Sequence, residues 1–404
     1  MLTSSLILIV LMAFFAYSLF SAGIARTVLT LPILFVAFGY MMSEPLGNAA
    51  DPALLHEGKR LLAEVTLILV LFSDASHVRF MRIRRTWQIP ARMLVIGMPL
   101  TIALGTAAAY WLNPESGLAM ALLTASVLTP TDAALGQPVV SNPEVPSRLS
   151  QSINVESGLN DGLALPFVLL GAILASAGAG RAETDGLAVS AIMQIVLGPL
   201  AGIVVGWGAA RTMDWAQNRN LTAEAAGGIV FLSTAFAAYI LSTAIGGNGF
   251  IAAFVAGMVF GNTYRHDIHF VSEFMEGVGQ LLTMASFLVF GAFLLPDGIA
   301  HVTPRTVILA LLFLTVVRMA PIFLSLAGSG LPPIEKLFLG WFGPRGLASV
   351  LFTLIMMDEF ELPNEQELLS CVSMTVALSV LVHGLSATPL ARRIGRSTGR
   401  DRAG

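Results

Sequence analysis

The sequence predicts an all-α membrane protein that crosses the bilayer about thirteen times. The chain has 404 residues, of which 55% are hydrophobic and only 12% are charged, whereas soluble domains carry about 25% charged residues. Its apolar residues lie in long runs, and about 20 apolar residues suffice to cross a bilayer. No segment alternates polar and apolar residues over about ten positions, as a membrane β-barrel requires. These observations together indicate a polytopic helical protein.

Thirteen apolar runs are separated by polar or glycine-containing breaks. No basic residue precedes the first run, so we expect a spanning helix there rather than a cleaved leader. The ninth run is short, and the break before it, at Gly246 and Gly247, is weak. The predicted spans are 2–20, 28–43, 61–76, 92–112, 117–140, 149–178, 187–210, 223–243, 248–262, 273–295, 303–327, 335–357 and 366–390.

Arginine and lysine residues are concentrated on one side of this topology. With the N-terminus outside, the inside loops and the tail hold sixteen basic residues and the outside segments hold four. Because short basic loops stay in the cytoplasm, we expect an outside N-terminus and a cytoplasmic C-terminus in a plasma membrane, the inner membrane in a bacterium. Residues 391–404 are polar and basic, which predicts a short cytoplasmic tail that is disordered or lies on the membrane surface.

An odd number of spans permits two inverted repeats of six spans, joined by the seventh. The fifth and twelfth spans then correspond, and each is interrupted. Proline removes a backbone donor, and unwound backbone is tolerated at membrane depth only where it is buried or lines a cavity. The paired interruptions therefore predict the position of the substrate site. They comprise Thr129, Pro130 and Asp132 in the fifth span, and Gly343, Pro344 and Gly346 in the twelfth.

The sixth span, residues 149–178, carries polar side chains far from either end. A carboxylate at membrane depth costs about 2.5–3.5 kcal/mol. Ser157 and Asp161 are four residues apart and share a helix face, where they offer oxygen ligands suited to a hard cation. Glu156 and Asn160 share the neighbouring face, which suits a basic partner. The alternative is a polar helix–helix contact without a transport role.

Other ionisable residues lie within or beside the predicted spans. Arg345 is a permanent charge in an apolar span, and Glu156 is the partner that we expect for it, with Asn160 alongside. Asp132 is suited to capping the second half of the fifth span or to contacting an ion. Asp74 could be an ion ligand, a water-bridged ligand, part of a cytoplasmic funnel or an interfacial carboxylate.

Several features bear on other functions. The single cysteine, Cys371, excludes an internal disulfide. The chain lacks a P-loop and an HExxH motif, which argues against a nucleotide-driven pump and a metalloprotease. We expect no enzyme activity, no cofactor and no nucleic-acid partner. His383 is predicted to be a packed histidine rather than a proton relay, and the sequence suggests no partner for Arg318.

Three segments together resemble a known family. They read Thr-Pro-Thr-Asp at 129–132, Glu-Ser-Gly-Leu-Asn-Asp-Gly at 156–162 and Gly-Pro-Arg-Gly at 343–346. In this order and spacing they resemble the cation:proton antiporter-1 family, which includes NhaP-type bacterial Na+/H+ antiporters and the animal sodium/proton exchangers. The thirteen spans match that family's architecture, so the resemblance covers nearly the whole chain. One departure is that Pro130 precedes the Thr131-Asp132 pair, where many members have Thr-Asp-Pro.

The resemblance implies a homodimer with an ion-transporting core and a dimerisation domain. Residues 1–390 would form the membrane domain, with 61–178 and 273–390 in the core. Among the site residues, Asp161 looks like the one that binds a cation and a proton alternately. Ser157 and Thr131 look like further ligands of the transported Na+.

The resemblance also implies supporting roles around that site. Asp74 is similar in context to an acidic residue that acts through water. Glu156 and Arg345 look like a stabilising ion pair, with Asn160 attached to it.

Within the Asn160-Asp161 pair, only the aspartate can carry a charge. Burial disfavours that charge, so Asp161 should hold either one proton or one Na+-sized cation. Competition for one site, with alternating access, predicts electroneutral 1:1 exchange of Na+ for H+ that serves pH and sodium homeostasis. The sequence leaves Na+, Li+ and K+ open. The alternatives are a K+-selective antiporter or channel-like relative, and a non-transporting membrane scaffold.

Overall fold

The structure, a computed structural model, describes residues 2–24, 27, 29–49, 51–78, 87–178, 184–223, 226–266 and 269–400. Helices joined by turns and short connections make up this part of the chain, and no β-strand occurs in it. Outside the described residues lie the predicted basic loop with Arg79, Arg82, Arg84 and Arg85, and residues 401–404 of the predicted tail.

The described helices confirm the predicted thirteen spans. Eight of them are long and apolar enough to cross a bilayer, and two shorter apolar helices accompany them. Pro52–His77 and two interrupted helices supply the remaining three spans. The helices are α1 (Leu2–Ile24), α2 (Leu31–Met41), α3 (Ser43–Ala49), α4 (Pro52–His77), α5 (Gln88–Leu112), α6 (Gly117–Val127), α7 (Ala133–Val140), α8 (Ser147–Gly178), α9 (Thr184–Asn218), α10 (Ala226–Ala244), α11 (Gly249–Thr263), α12 (His269–Val289), α13 (Leu295–Ala300), α14 (Pro304–Leu314), α15 (Val316–Ser325), α16 (Pro333–Trp341), α17 (Leu347–Glu359) and α18 (Glu365–Arg400).

Helix α4 lies between two groups of helices. On one side it packs along α11, which also contacts α9 and α10, and it touches α12. On the other side it contacts α8 and α17, which belong to a group that also contains α5, α6 and α18. The two interrupted spans, α6–α7 and α16–α17, lie in the second group. The C-terminal half of α4 lines a cavity together with residues at both breaks.

The predicted tail after residue 390 begins as an extension of α18. This helix runs on to Arg400, so the predicted disorder is wrong for residues 391–400, while a place on the membrane surface stays a prediction. The reason is local: Ala391 and Ile394 are buried in a hydrophobic cluster that includes Val139 of α7 and Leu149 of α8. Helical spacing puts these two apolar residues on one face, and that face holds the end of α18 against the bundle.

Candidate functional site

The two interruptions predicted from sequence meet inside the bundle. Helix α6 ends at Val127 and α7 begins at Ala133, while α16 ends at Trp341 and α17 begins at Leu347. The unwound segments touch directly, because the Asp132 N–H donates to the carbonyl oxygen of Pro344 at 2.8 Å. The prediction that the two breaks lie together is therefore confirmed.

Asp132 caps two half-helices at once. Its Oδ1 accepts the N–H of Leu135 at 2.9 Å, which confirms the predicted cap of α7. Its Oδ2 accepts the N–H of Leu347 at the start of α17. Gly346 makes this approach possible, since a Cβ there would overlap the Asp132 carboxylate. The carboxylate thus faces the positive ends of two helix dipoles.

Arg345 donates to the backbone of the first break and not to Glu156. Its Nη1 donates to the carbonyl oxygen of Thr129 and, at 3.1 Å, to that of Pro130. These carbonyls follow the C-terminus of α6, where backbone acceptors lack helical partners. The predicted Glu156–Arg345 ion pair is therefore wrong. Arg345 instead joins the second interrupted span to the first.

The partner of Glu156 is Arg318, for which the sequence offered none. Arg318 Nη1 and Nη2 donate to the two carboxylate oxygens of Glu156 at 2.5 and 2.7 Å. Both side chains are 3% exposed, so the pair is bidentate and buried. Gly343 leaves room for it, because a Cβ there would overlap the Arg318 guanidinium. The pair joins α8 to α15.

Asn160 is bonded to the first break rather than to the ion pair. Its Nδ2 donates to Thr131 Oγ1 at 2.5 Å, which corrects the prediction that it accompanies Glu156 and Arg345. Thr131 Oγ1 also lies 3.0 Å from Ser157 Oγ. All three side chains are at most 1% exposed. The structure thus brings together Thr131 and Ser157, the two hydroxyls predicted as ion ligands.

We refer to the place where the unwound segments 128–132 and 342–346 meet as the crossing. Asp161 differs from the other buried carboxylates at this crossing. It is 7% exposed, and within the described part of the chain its Oδ1 has no hydrogen-bond partner. It lies one helical turn from Ser157 on the same face of α8. With Asp74 and Asp132 it lines a cavity of about 400 Å³. The predicted grouping of Asp74 with Asp161 is thus present in the fold.

The cavity runs from the crossing to one end of the bundle. Beyond Asp161, its lining continues to Gln137 of α7 and to His77, the last residue of α4. At the opposite end of α4, Asp358 of α17 lies 3.0 Å from His56 Nε2 and 3.3 Å from Arg60 Nε. The two helices that flank the cavity are therefore bridged at their far ends. We refer to the His56, Arg60 and Asp358 contacts as the far-end bridge.

This donor set suits an exchangeable monovalent cation. Carboxylate and hydroxyl oxygens are ligands for hard cations. In the part of the chain that the structure describes, no group of three or more His, Cys, Asp or Glu side chains could hold a metal ion. A carboxylate that lines a cavity and whose Oδ1 has no partner in the described structure can instead accept either a proton or a cation. The cation is thus treated as cargo.

Sequence reasoning missed some of the residues that shape this site. Arg318 carried the same signal as Arg345, a permanent charge inside an apolar span, and local pattern could not assign partners to the two arginines. The far-end bridge gave no signal, because His56 and Asp358 are 302 residues apart. His383 was predicted to be packed, and it is 1% exposed, but it also donates to the second break.

Comparison with known proteins identifies the family. The model of the family described as "Sodium/hydrogen exchanger, transmembrane" matches residues 9–393, which is nearly all of the membrane region. This chain belongs to the sodium/hydrogen exchanger family. The resemblance seen in the three sequence segments is thereby confirmed.

Two similar proteins are named for different cations. A protein named K(+)/H(+) antiporter NhaP2, from Shewanella oneidensis, is 27% identical over 371 residues, which are 90% of this chain and 63% of the relative. A protein named Na(+)/H(+) antiporter 2, from Zygosaccharomyces rouxii, is 25% identical over 362 residues, which are 80% of this chain and 44% of the relative. The chain thus spans less than two thirds of the length of these curated relatives.

A solved structure shares the fold over the whole length. The structure of the sodium proton antiporter MjNhaP1 from Methanocaldococcus jannaschii matches with a TM-score of 0.76 and 18% identity. The match covers 98% of this chain and 100% of that one. At this identity the match shows the fold, and the predicted antiporter fold is confirmed.

Proposed function

We propose that this chain exchanges one monovalent cation for one proton across the membrane, as a secondary antiporter. The observation that carries the proposal is Asp161, a buried carboxylate whose Oδ1 lacks a hydrogen-bond partner in the described structure and which faces a cavity. A buried charge normally has a partner. The Oδ1 of Asp161 has none in the described part of the chain, so a transported ion is a suitable partner.

The neighbours of Asp161 support the 1:1 exchange. Glu156 is occupied by Arg318, and Asp132 by the N–H groups of two half-helices. Asn160 is uncharged, so it adds no second site for a proton. Asp161 can therefore be neutralised either by a proton or by a cation that also contacts Ser157 and Thr131. Asp74, across the cavity, would act on the cation through water.

Exchange also requires access from both sides in turn. The cavity reaches the end of α4 at His77, which the distribution of basic residues places on the cytoplasmic side of a plasma membrane. The far-end bridge then closes the outer side. In the proposed cycle, α4 and α17 separate at the far end and approach each other at the cavity. Neither a cofactor nor an enzymatic step is part of this cycle.

A homodimer is part of the proposal. Helix α1 exposes most of its apolar side chains, and of the described side chains in its span from Ser5 to Ile24 only Leu6 is buried within the chain. The span Ile192–Asn218 of α9 is only 17% buried. Lipid or a second copy must cover these faces, and a dimerisation domain that includes α1 and α9 fits them. The core would comprise the predicted ranges 61–178 and 273–390.

Na+ is the cation that the resemblance to Na+/H+ antiporters favours, and K+ is a second candidate. The observation in favour of K+ is that the relative from Shewanella oneidensis and one from Alkalimonas amylolytica are named K(+)/H(+) antiporters. Oxygen ligands serve either ion, and cavity size and ligand number decide between them. Proteoliposomes with a pH gradient, to which Na+, K+ or Li+ is added, would rank the three ions.

The test of the function is Asp161→Asn in proteoliposomes. The amide cannot bind a proton and a cation in turn, so cation-dependent dissipation of the pH gradient should fall to the level of empty vesicles. The matched control is Asp297→Asn, an exposed aspartate of α13, which should behave like the wild type. Exchange that persists in Asp161→Asn would overturn the assignment.

A further inference from the structure

Four half-helix ends meet at the crossing, and the residues described above serve three of them. Asp132 caps the N-termini of α7 and α17, and Arg345 binds the carbonyls after α6. The fourth end is the C-terminus of α16, where backbone carbonyls lack helical partners. There the carbonyl oxygen of Trp341 accepts the N–H of Gly343 at 2.9 Å, and it also lies 3.0 Å from His383 Nε2 on α18. His383 therefore completes the set.

The hydrogen bonds of His383 form a directed chain. The Trp341 carbonyl can only accept, so Nε2 carries the hydrogen and Nδ1 of a neutral ring is an acceptor. Nδ1 lies 3.1 Å from Ser379 Oγ. Ser379 Oγ in turn accepts the backbone N–H of Arg345 at 2.7 Å. The chain thus links both ends of the unwound segment 342–346.

The surroundings of His383 suit a neutral ring. Its side chain is 1% exposed, and its ring centroid lies 5.2 Å from that of Trp341. Nδ1 also lies 3.1 Å from the carbonyl oxygen of Ser379, to which only a doubly protonated ring could donate while Nε2 donates to Trp341. Nδ1 of a neutral ring therefore accepts from Ser379 Oγ, whereas Nδ1 of a doubly protonated ring would donate to the Ser379 carbonyl oxygen.

The segment held by this chain is the one that touches the first break. The Pro344 carbonyl accepts the N–H of Asp132, and the Arg345 side chain donates to the carbonyls of Thr129 and Pro130. These contacts lie on both sides of Thr131. A displacement of the second break would therefore move the Thr131 hydroxyl relative to Ser157 and Asp161.

We propose that His383 and Ser379 are positioning residues of the cation site. They hold the second break through its backbone, and that break holds Thr131 in place for the cation. This role rests on the proposed exchange function. It differs from a proton relay, because the ring keeps one protonation state throughout the cycle.

The first experiment measures the cation concentration for half-maximal exchange, with Na+ and with K+, in proteoliposomes. His383→Leu removes the hydrogen bonds to Trp341 and to Ser379, so the KM should rise about three- to tenfold, the range expected from lost hydrogen bonds, while the maximal rate stays close to the wild type. His383→Gln retains a donor for Trp341, and His383→Asn retains an acceptor for Ser379. Each should restore part of the affinity.

A double-mutant cycle tests whether the two residues act in one chain. Ser379→Ala combined with His383→Leu should raise the KM by less than the product of the two single effects, because neighbours in one network are not additive. The matched control is Thr375→Val, a buried hydroxyl on α18 whose bond stays within the helix, at 2.7 Å to the carbonyl of Cys371. Its KM should equal that of the wild type. Additive effects would overturn the proposal.

If the variants fail to fold, a measurement on the wild type still tests the proposal. Solid-state NMR of the full chain in lipid, with ¹⁵N-labelled histidine and His383→Gln as the assignment control, should show a neutral ring protonated at Nε2. A ring protonated at Nδ1 or at both nitrogens would contradict the proposed hydrogen bonds of His383. Wild-type vesicles without cation-dependent proton flux would defeat the exchange function. An active wild type with an unchanged KM in His383→Leu would defeat this proposal alone.

Discussion

Glu156 and Asp161 are two carboxylates on α8, five residues apart and both at least 93% buried, yet their surroundings differ. Both oxygens of Glu156 are bonded to the guanidinium of Arg318, while Asp161 Oδ1 has no partner in the described structure and faces the cavity. Burial alone therefore does not mark an ion site. What distinguishes Asp161 is that no described residue of the fold forms an ion pair with its side chain.

The largest expected effect is a difference in stability between variants of the two carboxylates. Glu156→Gln leaves the buried charge of Arg318 without its partner, which should cost about 3–5 kcal/mol and lower the thermal unfolding temperature in detergent. Asp161→Asn removes a charge whose Oδ1 has no partner in the described structure, so it should leave that temperature unchanged or raise it.

A second variant sharpens this prediction. Glu156→Gln combined with Arg318→Met removes both charges, and it should recover most of the lost stability because no unpaired charge remains. If Glu156→Gln alone unfolds at the wild-type temperature, the pair does not hold α8 to α15 as described.

An intermediate effect is expected from the hydroxyls beside Asp161. Ser157→Ala removes one proposed cation ligand and the contact of Thr131 Oγ1, so the KM for the cation should rise by up to about tenfold, as for one lost polar interaction. The unfolding temperature should change little. Ser150→Ala, on the same helix with its hydroxyl bonded to the Ser147 carbonyl, is the control. An unchanged KM in Ser157→Ala would remove this residue from the site.

The smallest effect is expected at the far-end bridge. Its ion pairs are partly exposed, and such pairs contribute little, about 0.2–1 kcal/mol. Asp358→Asn should favour separation of α4 and α17, so exchange with the cation added on that side should rise by less than about fivefold. Glu57→Gln, an exposed neighbour on α4, is the control. Slower exchange in Asp358→Asn would show that the bridge is not a closing contact.

The spans and the two breaks followed from the sequence because their signals are local. Apolar run length, the Pro130 and Pro344 interruptions and the four-residue spacing of Ser157 and Asp161 each depend on a short stretch of chain. The Asp132 cap of α7 was foreseeable for the same reason, since its acceptor and donor are three residues apart.

The charge pairing could not be derived in this way. Glu156 had two candidate arginines, Arg318 and Arg345, and its observed partner is 162 residues away in sequence. Which guanidinium reaches it depends on how α15 and α17 cross α8, and on the space left at Gly343. The same holds for the second cap of Asp132 at Leu347, 215 residues away, which exists only because the two breaks cross.

The central claim is that one carboxylate is shared in turn by a proton and a cation. Its most direct test is proton release from the purified chain in weakly buffered detergent solution when Na+ or K+ is added. The wild type should release about one proton per chain as the cation binds, because ligand carboxylates must be deprotonated, and Asp161→Asn should release none. Cation binding without proton release by the wild type, or equal release by Asp161→Asn, would contradict the claim.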